Sequence, residues 1–161
     1  MRCSLLLIMM AGLAFPQGQA QTQDVTGWDK IRWGMTIAET RSVYPGATGN
    51  GTRERLTLEP VQIGDLTMNV AVSARPDSDR ITRVELSNPE ASSRKFDRLK
   101  VLLIQKYGPP INEATKIEDA NTTATTLIWT FPSASILLTL RQGRAIYLEY
   151  SQTDKEALDL L

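Results

Sequence analysis

The chain has no histidine and a single cysteine, Cys3, in 161 residues. Without histidine it lacks the only side chain whose ordinary pKa lies between about 5 and 8, the usual general base and the commonest metal ligand. Without a second cysteine it cannot staple itself by a disulfide, and zinc or copper has no ordinary ligand set. Neither sign of charge is in excess, with 18 basic and 18 acidic side chains, so there is no electrostatic pull toward nucleic acid or anionic lipid. Long apolar runs are also missing. The longest, Leu5 to Phe15, covers roughly eleven residues, where crossing a bilayer takes about 20.

That run has the parts of a secretory leader in order: Arg2 ahead of it, then Pro16, Gly18 and Ala20, a positive start, an apolar centre and small residues at a cleavage point. The pattern predicts a signal peptide over residues 1–20, cleavage after Ala20, and a periplasmic or secreted product. Cys3 precedes the apolar run instead of following the cleavage point, so neither a lipid anchor nor any stable membrane anchor is expected after processing. About 140 residues remain, enough for one domain with its own core, 21–161.

Within that domain a similar order of elements occurs twice, in halves of about 28–90 and 91–152. In the first, Thr36 and Glu39 form a capping-box pattern, Tyr44-Pro45-Gly46 ends the helix, and three strand-like runs follow: Arg55 to Glu59, Leu66 to Ala74 and Thr82 to Ser87. In the second, Ser92 or Ser93 caps a helix with Phe96, Leu99, Leu103 and Tyr107 at helical spacing, and Gly108-Pro109-Pro110 ends it. Three alternating runs follow, around Leu127 to Phe131, Ile136 to Arg141 and Ile146 to Tyr150. The expected fold is α+β: two helix-plus-three-strand repeats forming a mostly antiparallel sheet of about six strands, with the helices on one face. Thr153 and Glu156 repeat the capping pattern and predict a short C-terminal helix over 153–161.

Side-chain parity fixes the hairpins, because a slip of one residue exchanges the two faces of a strand. It pairs Arg141 with Ala145 and leaves Gln142-Gly143-Arg144 as the loop. It also leaves Pro132 to Ser135 and Asp77-Ser78-Asp79 as connections. The stretch from Pro109 to Thr125 shows no alternation and reads as a mobile edge loop with little amide protection.

The segment Trp33-Gly34-Met35-Thr36, with Glu39 and the Tyr-Pro-Gly stop after it, resembles the helix start of the small outer-membrane-assembly lipoproteins and the β-lactamase inhibitor proteins. Tyr107-Gly108-Pro109 is similar to the helix ending of their repeats. The chain lacks the lipidated cysteine of the former and the disulfides of the latter. The resemblance implies short helices packed on antiparallel sheet, and a non-catalytic envelope protein that binds another protein through its sheet face and loops.

Chemical readings fare less well. Ser92 to Lys95 has the Ser-x-x-Lys spacing of penicillin-recognising enzymes, but the companion motifs are missing and a capping serine accounts for it. Asp77 with Asp79, and Glu118 with Asp119, lack the regular oxygen spacing and glycine of a calcium loop. Arg94, Lys95, Arg98, Lys100 and Lys106 have no interleaved aromatics and read as a solvated helix face. The sequence therefore points to no catalytic residue, no metal and no cofactor.

On the sheet face turned away from the helices, parity puts Thr67, Asn69, Ser73, Arg83 and Glu85 in the first half, but Ile128, Leu137, Ala145 and Tyr147 in the second. A solvated face should be polar throughout, so the apolar cluster predicts either a docking surface or a cover supplied by the chain. The candidate covers are the segment Trp28 to Trp33 and the C-terminal tail. Ile128, Leu137 and Tyr147, with Trp28 and Trp33, are the candidate partner-binding residues. The expected function is an exported, non-catalytic protein-binding module of the cell envelope: an inhibitor, immunity protein or assembly factor whose partner is another envelope or secreted protein. A binder of small apolar ligands is the alternative, and a carboxylate- or serine-dependent hydrolase a further one.

Overall fold

Both helices among the described residues begin where side-chain caps satisfy their first free amides. In a computed structural model that describes residues 24–49, 55–90, 92–119 and 122–153, α1 covers Ile37–Val43 and opens with a full capping box between Thr36 and Glu39. The Glu39 amide donates to Thr36 Oγ1 at 3.1 Å, and the Thr36 amide donates to Glu39 Oε2 at 2.7 Å. These bonds hold the Glu39 carboxyl below its ordinary pKa. α2 covers Ser93–Tyr107. Its first turn is closed by the Lys95 amide donating to Ser92 Oγ at 3.2 Å, and its C-terminal side is fixed where Trp129 Nε1 donates to the Gly108 carbonyl at 2.8 Å.

The strands outnumber the sequence expectation. A ribbon of β1 (Gly27–Trp28) and β2 (Ile31–Arg32) comes first, and each helix is followed by four strands, not three. After α1 come β3 (Thr48–Gly49), β4 (Arg55–Ile63), β5 (Leu66–Ala74) and β6 (Ile81–Asn88); after α2 come β7 (Asn112–Asp119), β8 (Thr122–Thr130), β9 (Ala134–Arg141) and β10 (Ala145–Gln152). They form one eight-stranded sheet in the order β3-β4-β5-β6-β10-β9-β8-β7. Every neighbouring pair in it is antiparallel. The fold is therefore mostly β, and the expectation of two helix-plus-three-strand repeats in a six-stranded α+β sheet is corrected.

The cause of the discrepancy is physical. β3 and β7 are the two edge strands, and every described residue in them is exposed, so neither carries the period-2 alternation that a half-buried strand must show. The expected loop from Pro109 to Thr125 is in fact β7 and the start of β8, paired in register from Asn112↔Ile128 to Ile117↔Thr123. The leader and its cleavage point, and the tail from 154 onward with its expected helix, lie outside the described residues.

One face of the sheet holds the core. Met68, Val70 and Val72 of β5, Val84 and Leu86 of β6, Ile146 and Leu148 of β10, Ile136 and Leu138 of β9, and Leu127 and Trp129 of β8 are all buried there. Burial of each such side chain contributes about 1.5–3 kcal/mol. Phe96, Leu99 and Leu103 of α2 belong to the same cluster, as does Ile31 of the ribbon, with Ile37 and Tyr44 packed against it. Helices and ribbon thus lie on one side of the sheet.

Two glycines are demanded by geometry. A Cβ on Gly27 would lie 2.0 Å from the Ile31 carbonyl oxygen, which only glycine permits. Gly143, at φ 72°, turns the hairpin in which Arg141 pairs with Ala145, a left-handed conformation glycine adopts without strain.

Candidate binding face

The opposite face of the sheet carries no described helix or ribbon, since those elements pack into the core side. Register brings three of the residues singled out above together on it. Ile128 stands directly across from Leu137. Leu137 stands across from Glu149, and Tyr147 stands across from Thr139, one diagonal step from Leu137. All three are half-buried. Ala124, Arg141 and Ala145 continue the same surface in one cross-strand row, and both alanines are buried. The Arg141 guanidinium lies over the Tyr147 ring at 5.4 Å. Its Nε sits 3.3 Å from Glu118 Oε1 without hydrogen-bond alignment, so that contact is Coulombic.

Charge borders this patch where β10 meets β6. Glu149 and Glu85 stand directly opposite one another, a like-charge pairing that a bare sheet would resist. Each is countered by an arginine on the same face. Arg83 Nε is 3.3 Å from Glu149 Oε1, and Arg55 Nη2 is 3.4 Å from Glu85 Oε1. Beyond that ladder the face is polar, with Asn69 paired to Ser87 and Ala71 to Glu85. The open face thus has an apolar cluster of Ile128, Leu137, Tyr147 and the two alanines over β8, β9 and β10, set among the Thr126–Thr139 and Ser135–Ser151 hydroxyl pairs, and a polar half over β4, β5 and β6.

Trp28 and Trp33 are not part of this patch. Both are half-buried against the core on the helix side, where Trp33 Nε1 donates to the Val25 carbonyl at 2.9 Å. The N-terminal segment therefore does not cover the open face. The chain around Trp33 is instead tied to the start of β6, with the Gly34 amide donating to the Ile81 carbonyl at 3.1 Å and the Ile81 amide to the Met35 carbonyl at 2.7 Å.

Trp28 helps line a different feature, which the sequence did not signal. A groove of about 510 Å³ runs between the end of α1 and β4, walled by Trp28, Tyr44, Ala47, Leu58, Pro60 and Val61. The Tyr44 hydroxyl donates to Asp29 Oδ2 at 2.6 Å and accepts from the Lys30 amide at 3.2 Å. Partial burial, and then the bond to Asp29, push its pKa up to about 12. These residues come from three separate stretches of chain, so no local spacing reveals the groove.

No protein-family model matches the chain, and no curated protein matches it. Among solved structures it is similar to a DUF4309 family protein (YjgB) from Bacillus subtilis subsp. subtilis str. 168, at 10% identity. That likeness spans 73% of this chain and 78% of the other, with a TM-score of 0.44. A likeness of this size carries no argument about function.

Several of the residues weighed for chemistry have structural partners. Ser92 Oγ accepts the Lys95 amide, and the Lys95 ammonium is ion-paired with Glu90, not turned toward the serine as a base. Asp79 lends its carbonyl to the Ile37 amide at 3.0 Å. Asp119 pairs with Arg144 at 2.9 Å. Among the described residues no three acidic, histidine or cysteine side chains gather as a metal site, and no helix is long and apolar enough to cross a membrane.

Proposed function

We propose that this chain is an exported, non-catalytic module that binds another envelope or secreted protein on the open face of its sheet, at Ile128, Leu137 and Tyr147. The observation that carries the reading is the contiguous apolar patch those residues make on a face that no described element covers. An antiparallel sheet exposed to water on one side ordinarily alternates apolar-in and polar-out, and the polar half of this same face obeys that rule. Ile128, Leu137 and Tyr147 depart from it. The Arg83–Glu149 and Arg55–Glu85 pairs and Arg141 supply a charged border of both signs, which favours a partner with an apolar centre and a complementary rim. Export rests on the order of charge, apolar run and small residues in the first 20 positions. The resemblance of the Trp33 to Thr36 segment to envelope binding proteins points the same way.

The immobilised chain is expected to retain one stoichiometric protein from envelope extract. Leu137→Asp and Tyr147→Ala should each abolish retention while leaving the fold cooperative. Retention undiminished by both substitutions, or turnover of peptidoglycan or glycans abolished by a single side-chain change, contradicts the reading. A second reading, a small apolar ligand, is favoured by the groove beside Trp28 and Tyr44. It requires a ligand-induced rise in thermal midpoint that Trp28→Ala removes.

A further inference from the structure

The two edges of the sheet are finished differently. On one side β4 slips register between Leu58 and Val61, around Pro60, and the short β3 covers its start. A bulge and a proline are ordinary devices that keep an edge strand from pairing with another chain. On the other side β7 has no proline and pairs regularly with β8 from Asn112 to Ile117, its own register shift lying only at the strand's end between Ile117 and Asp119; it has no described strand on its outer side and is exposed along its whole length. It also carries or adjoins two large apolar side chains in water, Ile111 at 69% exposure and Ile117 at 76%.

We infer that β7 pairs with itself: two copies of this chain join their β7 strands antiparallel, about a twofold axis at Ala114, so that one sheet continues through both. A closed twofold contact uses the same patch on each copy and must be self-complementary, and among registers that overlap most of the regular stretch Asn112 to Ile117 the sequence of this strand meets that condition in one. With Ala114 facing its own counterpart, Ile111 of each copy stands opposite Ile117 of the other, Asn112 opposite Lys116, and Glu113 opposite Thr115. Both exposed isoleucines leave water and no like charges meet. Moving the centre to Thr115 sets Ile111 against Asp119 and Glu113 against Ile117. Centring on Lys116 sets lysine against lysine and Glu113 against Asp119, and centring on Glu113 sets that carboxylate against itself.

The charge of the strand does not oppose the approach of a second copy. Each of its carboxylates is paired within its own chain: Glu113 with Lys100 at 3.1 Å, Glu118 with Arg141 at 3.3 Å and Asp119 with Arg144 at 2.9 Å.

Sedimentation equilibrium of the purified chain over a range of concentrations tests this. The expected result is a reversible monomer–dimer equilibrium, with the dimer dissociation constant raised roughly tenfold or more by Ile111→Asp or by Ile117→Lys, because each change spoils both symmetry-related pairs. Combining the two substitutions in one chain sets opposite charges across both pairs and should recover most of the lost affinity. Mixing the two single variants should give a heterodimer stronger than either homodimer. Both isoleucines are exposed, so the thermal midpoint of each monomer should stay within about 2 °C of the parent. A chain that is monomeric at every concentration, a dimer indifferent to the single substitutions, or a double variant no better than the singles would each overturn the inference.

Discussion

Leu137 and Leu138 are neighbours in one strand and should behave as if they belonged to different proteins. Leu138 points into the core and is 0% exposed. Leu137 lies half-buried on the open face, across from Ile128. Leu138→Ala removes buried apolar volume and leaves a cavity, at a cost of about 2–5 kcal/mol. For a chain of this length each kcal/mol shifts the thermal midpoint by about 3 °C, so the midpoint should fall by about 6–15 °C. Leu137→Ala loses cross-strand contact only, worth about 0.2–1 kcal/mol, and should move the midpoint by no more than about 3 °C. Urea unfolding of both variants against the parent reads the same difference in the midpoint concentration at constant slope. A Leu137→Ala cost equal to that of Leu138→Ala would mean the second face is buried too, and the reasoning that makes it a docking surface would fail.

Other expectations follow from single contacts. Thr36→Ala removes the hydroxyl half of the capping box that opens α1 and should cost about 1 kcal/mol in urea unfolding. Gly143→Ala puts a side chain on a left-handed residue with open space around it, so it should cost about 1–2 kcal/mol from backbone strain alone. Gly27→Ala drives a methyl into the Ile31 carbonyl and should open the ribbon, seen as loss of protection of the amides around Ile31 in hydrogen exchange. Tyr44 is expected to make stability fall in alkali. Its pKa is raised from 10.0 to about 12 in the folded chain, so the unfolded chain gives up the proton first. The contribution of Tyr44 is therefore complete below pH 10 and is lost as pH climbs toward 12, and Tyr44→Phe should remove that part of the alkaline slope.

Sequence reasoning reached the parts of this fold that bury one face and missed the parts that bury none. The alternation of Leu66, Met68, Val70 and Val72 is a direct consequence of a pleated strand lying on a core, and β5 runs through all of them. The caps at Thr36 and Ser92 were legible because a few residues contain the whole device. β7 was not, because an edge strand whose side chains all face water offers no alternation to read, and its ladder to β8 depends on residues that are not its neighbours in sequence. The ribbon strands are two residues each, too short for any period. Parity assigned Ile128, Leu137 and Tyr147 to one face correctly, since hairpin register fixes it. Trp28 and Trp33 could not be placed this way, because their positions depend on how the ribbon folds back onto the helix side of the sheet.

The most direct test of the account uses a photo-crosslinking residue at position 147 in the apolar cluster of the open face, compared with the same residue at position 69 in its polar half, in the full chain expressed in living cells. A single heavier adduct with another protein from position 147, absent from position 69, is the predicted result. Equal adducts from both positions, or none from position 147 while the chain is folded, would contradict it.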